Sequence, residues 1–255
     1  MTTISFDSLL LRKDGTPGNA WGRFGNDDEL GTLNLLTPKV TAEAAKEIVE
    51  GVRVSVDWPL DTFVVAADEC RIVWVENGGI VGRGVLLDYV SYAESKNIPI
   101  DCFSTTSISP SVLREIASVQ GTIFRPGDIL FVRTGWTEAY GRMTRAEQEQ
   151  LAATYPPPAI GLESSKETLR WIWDNQFAAV VGDQPSFEAW PCQNTDFMLH
   201  EWLLAGWGTP IGELFDLKQL SEECQKRKRW SFFFSSMPLR VPGGVASPPN
   251  GVAIF

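Results

Sequence analysis

The chain has 255 residues, 44% hydrophobic and 21% charged, and its 22 basic and 32 acidic side chains leave a net charge of −10. That length buries a real core, and one domain spanning residues 1–255 is expected. The acidity excludes nucleic acid and anionic membrane as partners, because both select Lys/Arg-rich surfaces.

From the N-terminus, MTTISFDSLLLRKDG lacks a charged segment leading into a long apolar run, and no stretch of eighteen apolar residues follows. A cytoplasmic protein without signal peptide or membrane span is expected. Thr37-Pro38 then opens a helix over VTAEAAKEIVE that stops at Gly51, with proline just inside the start and glycine just past the end. The first strand is expected over Val52–Pro59. Beyond it, Val64–Cys70 runs into Arg71–Asn77 with no turn chemistry between them. The glycine-rich GGIVGRG has neither the Lys-Ser/Thr of a P-loop nor the strand–GxGxxG–helix order, so it reads as a tight turn before the strand Gly84–Val90.

Ser109-Pro110 opens a helix that ends at Gly121. A strand follows over Asp128–Thr134, and Thr144 with Glu147 makes a capping box for AEQEQLAA. Ser164 with Glu167 makes a second for TLRWIWDN, before the strand Phe177–Val181. DFMLHEWLLAG reads as an amphipathic helix and Asp216 with Gln219 as the start of another. The basic run Lys226–Arg229 complements that last helix's dipole. Strands over Ser231–Val241 and Val252–Phe255 close the chain. Strands alternating with helices define an α/β fold. Cys70, Cys102, Cys192 and Cys224 form no CxxC pair and are expected as reduced thiols. The ten tryptophans supply core, with a minority lining a pocket for a flat or apolar ligand.

Three residues are candidates for chemistry. Asp183 follows the apolar strand ending VVG, where α/β sheets collect ligands; it either presents a carboxylate there or caps the next turn. His200 is the only histidine and lies on or beside an apolar helical face, as a structural or a catalytic residue. Glu213 sits in the apolar run IGEL, either exposed in a loop or partly buried, and a buried carboxylate needs a partner such as His200. Arg83, the one charge of the glycine-rich stretch, binds a substrate carboxylate or carbonyl or pairs with Asp88 or another acid. Trp21, Gln184, Ser186 and Trp190 are further substrate-binding candidates. No GxSxG elbow is present, and Cys192 has no neighbouring base in the sequence, so a serine or cysteine nucleophile is not favoured.

Together these stretches resemble the cyclase family of metal-dependent hydrolases that includes bacterial kynurenine formamidase and isatin hydrolase, its fungal branch in particular. The resemblance runs through Trp21-Gly22, Asp28–Gly31, Asn34, Thr37-Pro38, GIVGRGVLLDY, FRPGDILFVRTGW and AIGLESS. It continues in AAVVGDQPSFEAWP, LHEWLLAGWGTPIGELFDL and PLRVPGGVASPPNGVAIF. It implies a mixed β-sheet core flanked by helices, and a homo-oligomer, dimer or tetramer. In the family one or two divalent metals are held by an HxGTHxDxPxH motif and by a later His and Glu, which match His200 and Glu213. The earlier motif has no counterpart here, as if deleted near residues 68–74. Two ligands fall short of the three or four of a tight site; Asp68 or Asp183 would add oxygens for weak Mg or Mn binding at most. The expectation is therefore a metal-independent enzyme of secondary metabolism, with no cofactor. Its His200–Glu213 pair would cyclise, isomerise or eliminate on a small carbonyl compound. The alternatives are a divalent-metal hydrolase of an amide, ester or lactone, and a non-catalytic binder.

Overall fold

The computed structural model describes residues 4–13, 15–56, 78–239 and 246–255. The expected junction at Val64–Asn77, the deletion near 68–74, Asp68 and Cys70 lie outside them, as do parts of the strands expected to reach Pro59 and Val241.

A mixed sheet of seven strands runs in the order β1-β9-β8-β2-β4-β6-β7. These are β1 (Arg53–Ser55), β2 (Ile80–Asp88), β4 (Ile129–Arg133), β6 (Ala179–Gly182), β7 (Ile211–Gly212), β8 (Ser231–Ser236) and β9 (Val252–Ile254). β2, β4, β6 and β7 run parallel to one another, while β8, β9 and β1 add on antiparallel beyond β2. Two short strands, β3 (Ser107–Ile108) and β5 (Gly161–Leu162), pair separately.

The period-two alternation of the central strands builds two cores. Val85, Leu87, Leu130, Val132 and Val180 face one side, and Leu86, Ile129, Phe131, Ala179 and Val181 face the other. The first side is packed by α3 (Pro110–Gln120) and α6 (Lys166–Asp174), which contribute Leu113, Ile116, Leu169 and Ile172. On the second side α7 (Lys218–Arg227) contributes Leu220 and Cys224. The remaining α-helices are α1 (Pro38–Ala44), α2 (Tyr89–Ser95), α4 (Trp136–Gly141) and α5 (Arg145–Ala153). No helix among the described residues is long and apolar enough to cross a membrane.

Local signals set several boundaries as expected. The Thr144–Glu147 capping box forms, and α3 starts on Pro110 and stops at the left-handed Gly121. Four expectations are corrected. The glycine-rich segment is not a turn beyond Gly79, because β2 begins at Ile80; a Cβ on Gly84 would lie 2.2 Å from the Phe232 ring, so glycine there lets β8 pack. The cap of α6 is Ser165, which accepts from Thr168 N, rather than Ser164. The first helix is α only to Ala44 and continues as a 3-10 turn over Ala45–Glu47. The segment around His200 is a 3-10 turn, Thr195–Phe197, followed by a π-helix, Glu201–Trp207, instead of an α-helix.

Candidate functional site

The sheet's carboxyl edge brings two loops together. One leaves β6 at Gly182 and the other leaves β7 at Gly212. Phe215 N donates to Gly182 O at 3.2 Å, Leu214 N to Gln184 O at 3.2 Å, and Phe187 N to Glu213 Oε1 at 3.0 Å. Leu214 takes a left-handed backbone, φ 58°, which costs a non-glycine residue roughly 1–2 kcal/mol. The cross-loop bonds hold it there.

Between the loops lies a chain of three side chains. His200, the residue before the π-helix, has Nδ1 2.6 Å from Glu188 Oε2 and Nε2 3.1 Å from Glu213 Oε1. The His200 backbone N–H also donates to Glu188 Oε1 at 3.3 Å. Glu188 is fully buried, whereas His200 and Glu213 keep 27% and 28% side-chain exposure. Burial opposes the imidazolium, but hydrogen bonds and attraction from both carboxylates outweigh it and push the His200 pKa up to about 10. At neutral pH the ring is therefore a cation that donates from both nitrogens.

The outer end of the chain meets a cavity. His200 and Glu213 line a space of about 370 Å³ whose other walls include Ile129, Val181, Phe215, Phe234 and Pro248. A mainly apolar cavity with a few convergent polar groups is the usual form of a small-molecule site. The second oxygen of Glu213, Oε2, has no hydrogen-bond partner among the described residues.

Among the sequence candidates, only His200 and Glu213 meet in this cavity. Asp183 lies fully buried: Oδ1 accepts from Thr134 N (2.6 Å) and Thr134 Oγ1 (2.7 Å), and Oδ2 from Gly135 N (2.7 Å). Burial pushes its pKa up to about 6 against those donors. It braces the remote turn into α4 and does not cap the turn that follows it in the chain. Arg83 is buried against Asp128 and Glu47, both at 3.0 Å, so it takes the ion-pair alternative, and its partner is not Asp88. Gln184 is buried and braces the loop by donating to Phe187 O at 3.2 Å. Ser186 is buried on the same loop. Trp190 packs on the helical core, its backbone paired with Ala159 at 2.9 Å. Trp21 lines a different cleft, beside the far end of the π-helix.

Glu188 is the residue that sequence reasoning missed. Its signal was present: a carboxylate between Phe187 and Ala189, twelve positions before the only histidine. The argument that a carboxylate in an apolar run needs a partner applies to it more strongly than to Glu213.

A divalent metal of the kind the resemblance implies would be held by His200 Nε2 and Glu213. Glu188 lies on the opposite nitrogen of the ring, and among the described residues no group of three His, Cys, Asp or Glu side chains is arranged to hold a metal ion. The described donor set does not fit a closed site of three or four ligands.

A mixed sheet with a carboxylate–imidazolium–carboxylate chain opening on an apolar cavity defines an α/β protein of enzyme-like architecture. The sequence model of the Putative cyclase family matches residues 43–189, and the chain belongs to that family. No curated protein matches it. The crystal structure of a novel cyclase is similar over 93% of this chain and 99% of its own, with TM-score 0.75 and 24% identity. Isatin hydrolase A from Labrenzia aggregata, bound to benzyl benzoate, is similar over 68% of this chain and 60% of its own (TM-score 0.51, 17% identity). An isatin hydrolase bound to the product analogue thioisatinate aligns over 71% and 62%, with TM-score 0.51 and 12% identity. These likenesses show the fold.

Proposed function

We propose that the protein is a metal-independent enzyme that cyclises, isomerises or eliminates on a small, largely apolar carbonyl compound by proton transfer. The observation that carries this reading is the hydrogen-bonded Glu188–His200–Glu213 chain ending at the cavity. Glu188 fixes the imidazole ring and keeps it charged. The Nε2 proton, which donates to Glu213 Oε1 in the free protein, would shift to or be shared with a substrate oxygen on which negative charge develops. Glu213 Oε2 would accept the proton lost from the adjacent carbon. A bound substrate would displace water from between the apolar walls and so strengthen both interactions. The test is turnover of a panel of small diketones, enones and hydroxy ketones by protein stripped of divalent ions, with His200→Ala and Glu213→Gln alongside. Turnover in the stripped protein that disappears in both variants supports the reading. Turnover that both variants retain rules it out.

A second reading, hydrolysis of an amide, ester or lactone, is favoured by the convergence of His200 Nε2 and Glu213 Oε1, two donors of the kind a divalent ion takes. The fold likeness to isatin hydrolases points the same way. It requires activity that rises with added Mn or Mg and vanishes with a chelator. A protein that binds such compounds but turns none over, with or without metal, would be the non-catalytic binder.

A further inference from the structure

Most arginines of this acidic chain sit against acids, as Arg83, Arg133, Arg170 and Arg227 do. Among the described residues, Arg12, Arg23 and Arg229 make no ion pair. Arg229 stacks over Phe255 beside the ends of α3 and α7, where a cation complements the helix dipoles. Arg12 is exposed at the cleft mouth and Arg23 stacks on two aromatic rings without an acid beside it, and the two line the same cleft.

That cleft encloses about 340 Å³ between the loop over residues 20–31 and the far end of the π-helix. Its walls meet at Gly31 and Gly208, where a Cβ on Gly31 would lie 2.3 Å from Gly208 O; glycine there permits the crossing. The Arg23 guanidinium lies 4.4 Å from the Trp173 ring centre and 4.9 Å from that of Phe24. Its Nε is buried with no hydrogen-bond partner among the described residues, and burial lowers its pKa. Arg23 is half-buried, and partial withdrawal of a guanidinium from water without an acid is unfavourable; a bound anion would offset it. The Asp28 carboxylate in the cleft wall is already engaged, accepting from Leu30 N, Gly31 N and Asn34 Nδ2. Arg12 makes one side-chain bond, to Asn26 Oδ1 at 2.7 Å, which leaves further donors. Trp21, 41% exposed, is pinned by its indole N–H to Ala205 O at 2.7 Å. Leu204 lines both this cleft and the cavity at His200.

We propose that this cleft is a second ligand site, for a small organic acid with a flat apolar body. Arg12 and Arg23 take the carboxylate in the forked geometry that guanidinium groups match. Trp21 supplies the surface against which the flat body packs. Nothing in the site depends on proton transfer at His200, so it stands whether or not the proposed reaction does.

Calorimetric titration of the full chain with 2-naphthoate, neutral 2-naphthamide and inorganic phosphate tests it. Saturable naphthoate binding is expected, weakened about tenfold or more in Arg23→Gln, the loss typical of one charge-assisted contact. Trp21→Ala should also weaken it, and the amide should bind poorly. His200→Ala should leave naphthoate affinity unchanged, which separates this site from the other cavity. Arg12→Gln, at an exposed position, gives the same readout if Arg23→Gln does not fold. The proposal is overturned if naphthoate does not saturate, if the arginine variants bind it as the parent does, or if the amide binds equally well. It is equally overturned if phosphate matches naphthoate, or if binding is lost in His200→Ala and kept in Arg23→Gln.

Discussion

Two charge clusters lie near the sheet, and they differ in how they end. In the first, Asp88 at the end of β2 pairs with Arg133 at the end of β4, 3.0 Å apart, and Arg133 reaches Glu138 at 3.0 Å. Ser91 and Ser221 donate to the same Asp88 carboxylate. Asp88 and Arg133 face each other inside the protein, so the cluster acts on stability. In the second, Glu188 is as buried as Asp88, but its imidazolium partner ends on Glu213 and a cavity. The same interactions, left open at one end, become available to a substrate. The clusters also titrate in opposite directions. Burial works against the Asp88 carboxylate, but Arg133 and the serines hold its pKa below the ordinary value. His200 is held far above its own.

The comparison is broken most directly at its open end. Glu213→Gln is expected to lower kcat by about 10²- to 10⁴-fold, the range for removing a general base, with little change in the unfolding midpoint. A variant equally active, or one that mainly unfolds, would make the second cluster structural like the first. Arg133→Met should do the reverse, costing roughly 3–5 kcal/mol in urea unfolding because it leaves Asp88 buried without its partner.

Stability against pH is the next largest effect. His200 has a folded pKa of about 10 against 6.5 unfolded, so its contribution is complete below pH 6.5 and is lost as pH rises through 10. Asp128 and Asp183, pushed up to about 6 by burial, complete their own loss below that window. Asp88 gives the opposite limb, losing its contribution as pH falls below the ordinary carboxylate range. His200→Gln should flatten the alkaline limb, worth up to a few kcal/mol, and leave the acid limb in place. The smallest effect is expected from Glu188→Gln, which removes one of the two carboxylates that raise the His200 pKa. An NMR titration of the ring should show that pKa drop by about a unit or more, equivalent to roughly 1.4 kcal/mol. No drop would mean that Glu213 alone sets the charge.

Much of the architecture was legible because it depends on near neighbours in the chain. The Thr144 box, Pro110 at a helix start and Gly121 past its end act within one turn, and the β-rich runs carried β2, β4, β6 and β8 to within a few residues. The two-residue strands β3, β5 and β7 were not legible, being too short to show alternation. The π-helix was read as α because a short apolar pattern does not separate one helical period from a wider one. In the site, His200 and Glu213 stood out as the only histidine and a carboxylate in an apolar run. Glu188 did not, since the groups packed against it, Gly161-Leu162 on its backbone and His200 on its carboxylate, are remote in the chain.

Composition and local pattern alone determined that this is an acidic α/β protein with one histidine, and that any histidine chemistry runs through His200. Tertiary structure decided which acids meet that histidine. It directed Asp183 inward to Thr134 and Arg83 to Asp128 and Glu47, and it set Glu188 and Glu213 on either side of the ring. The reason is physical: a carboxylate's role follows from its solvation and its partners, and both are supplied by segments remote in the chain.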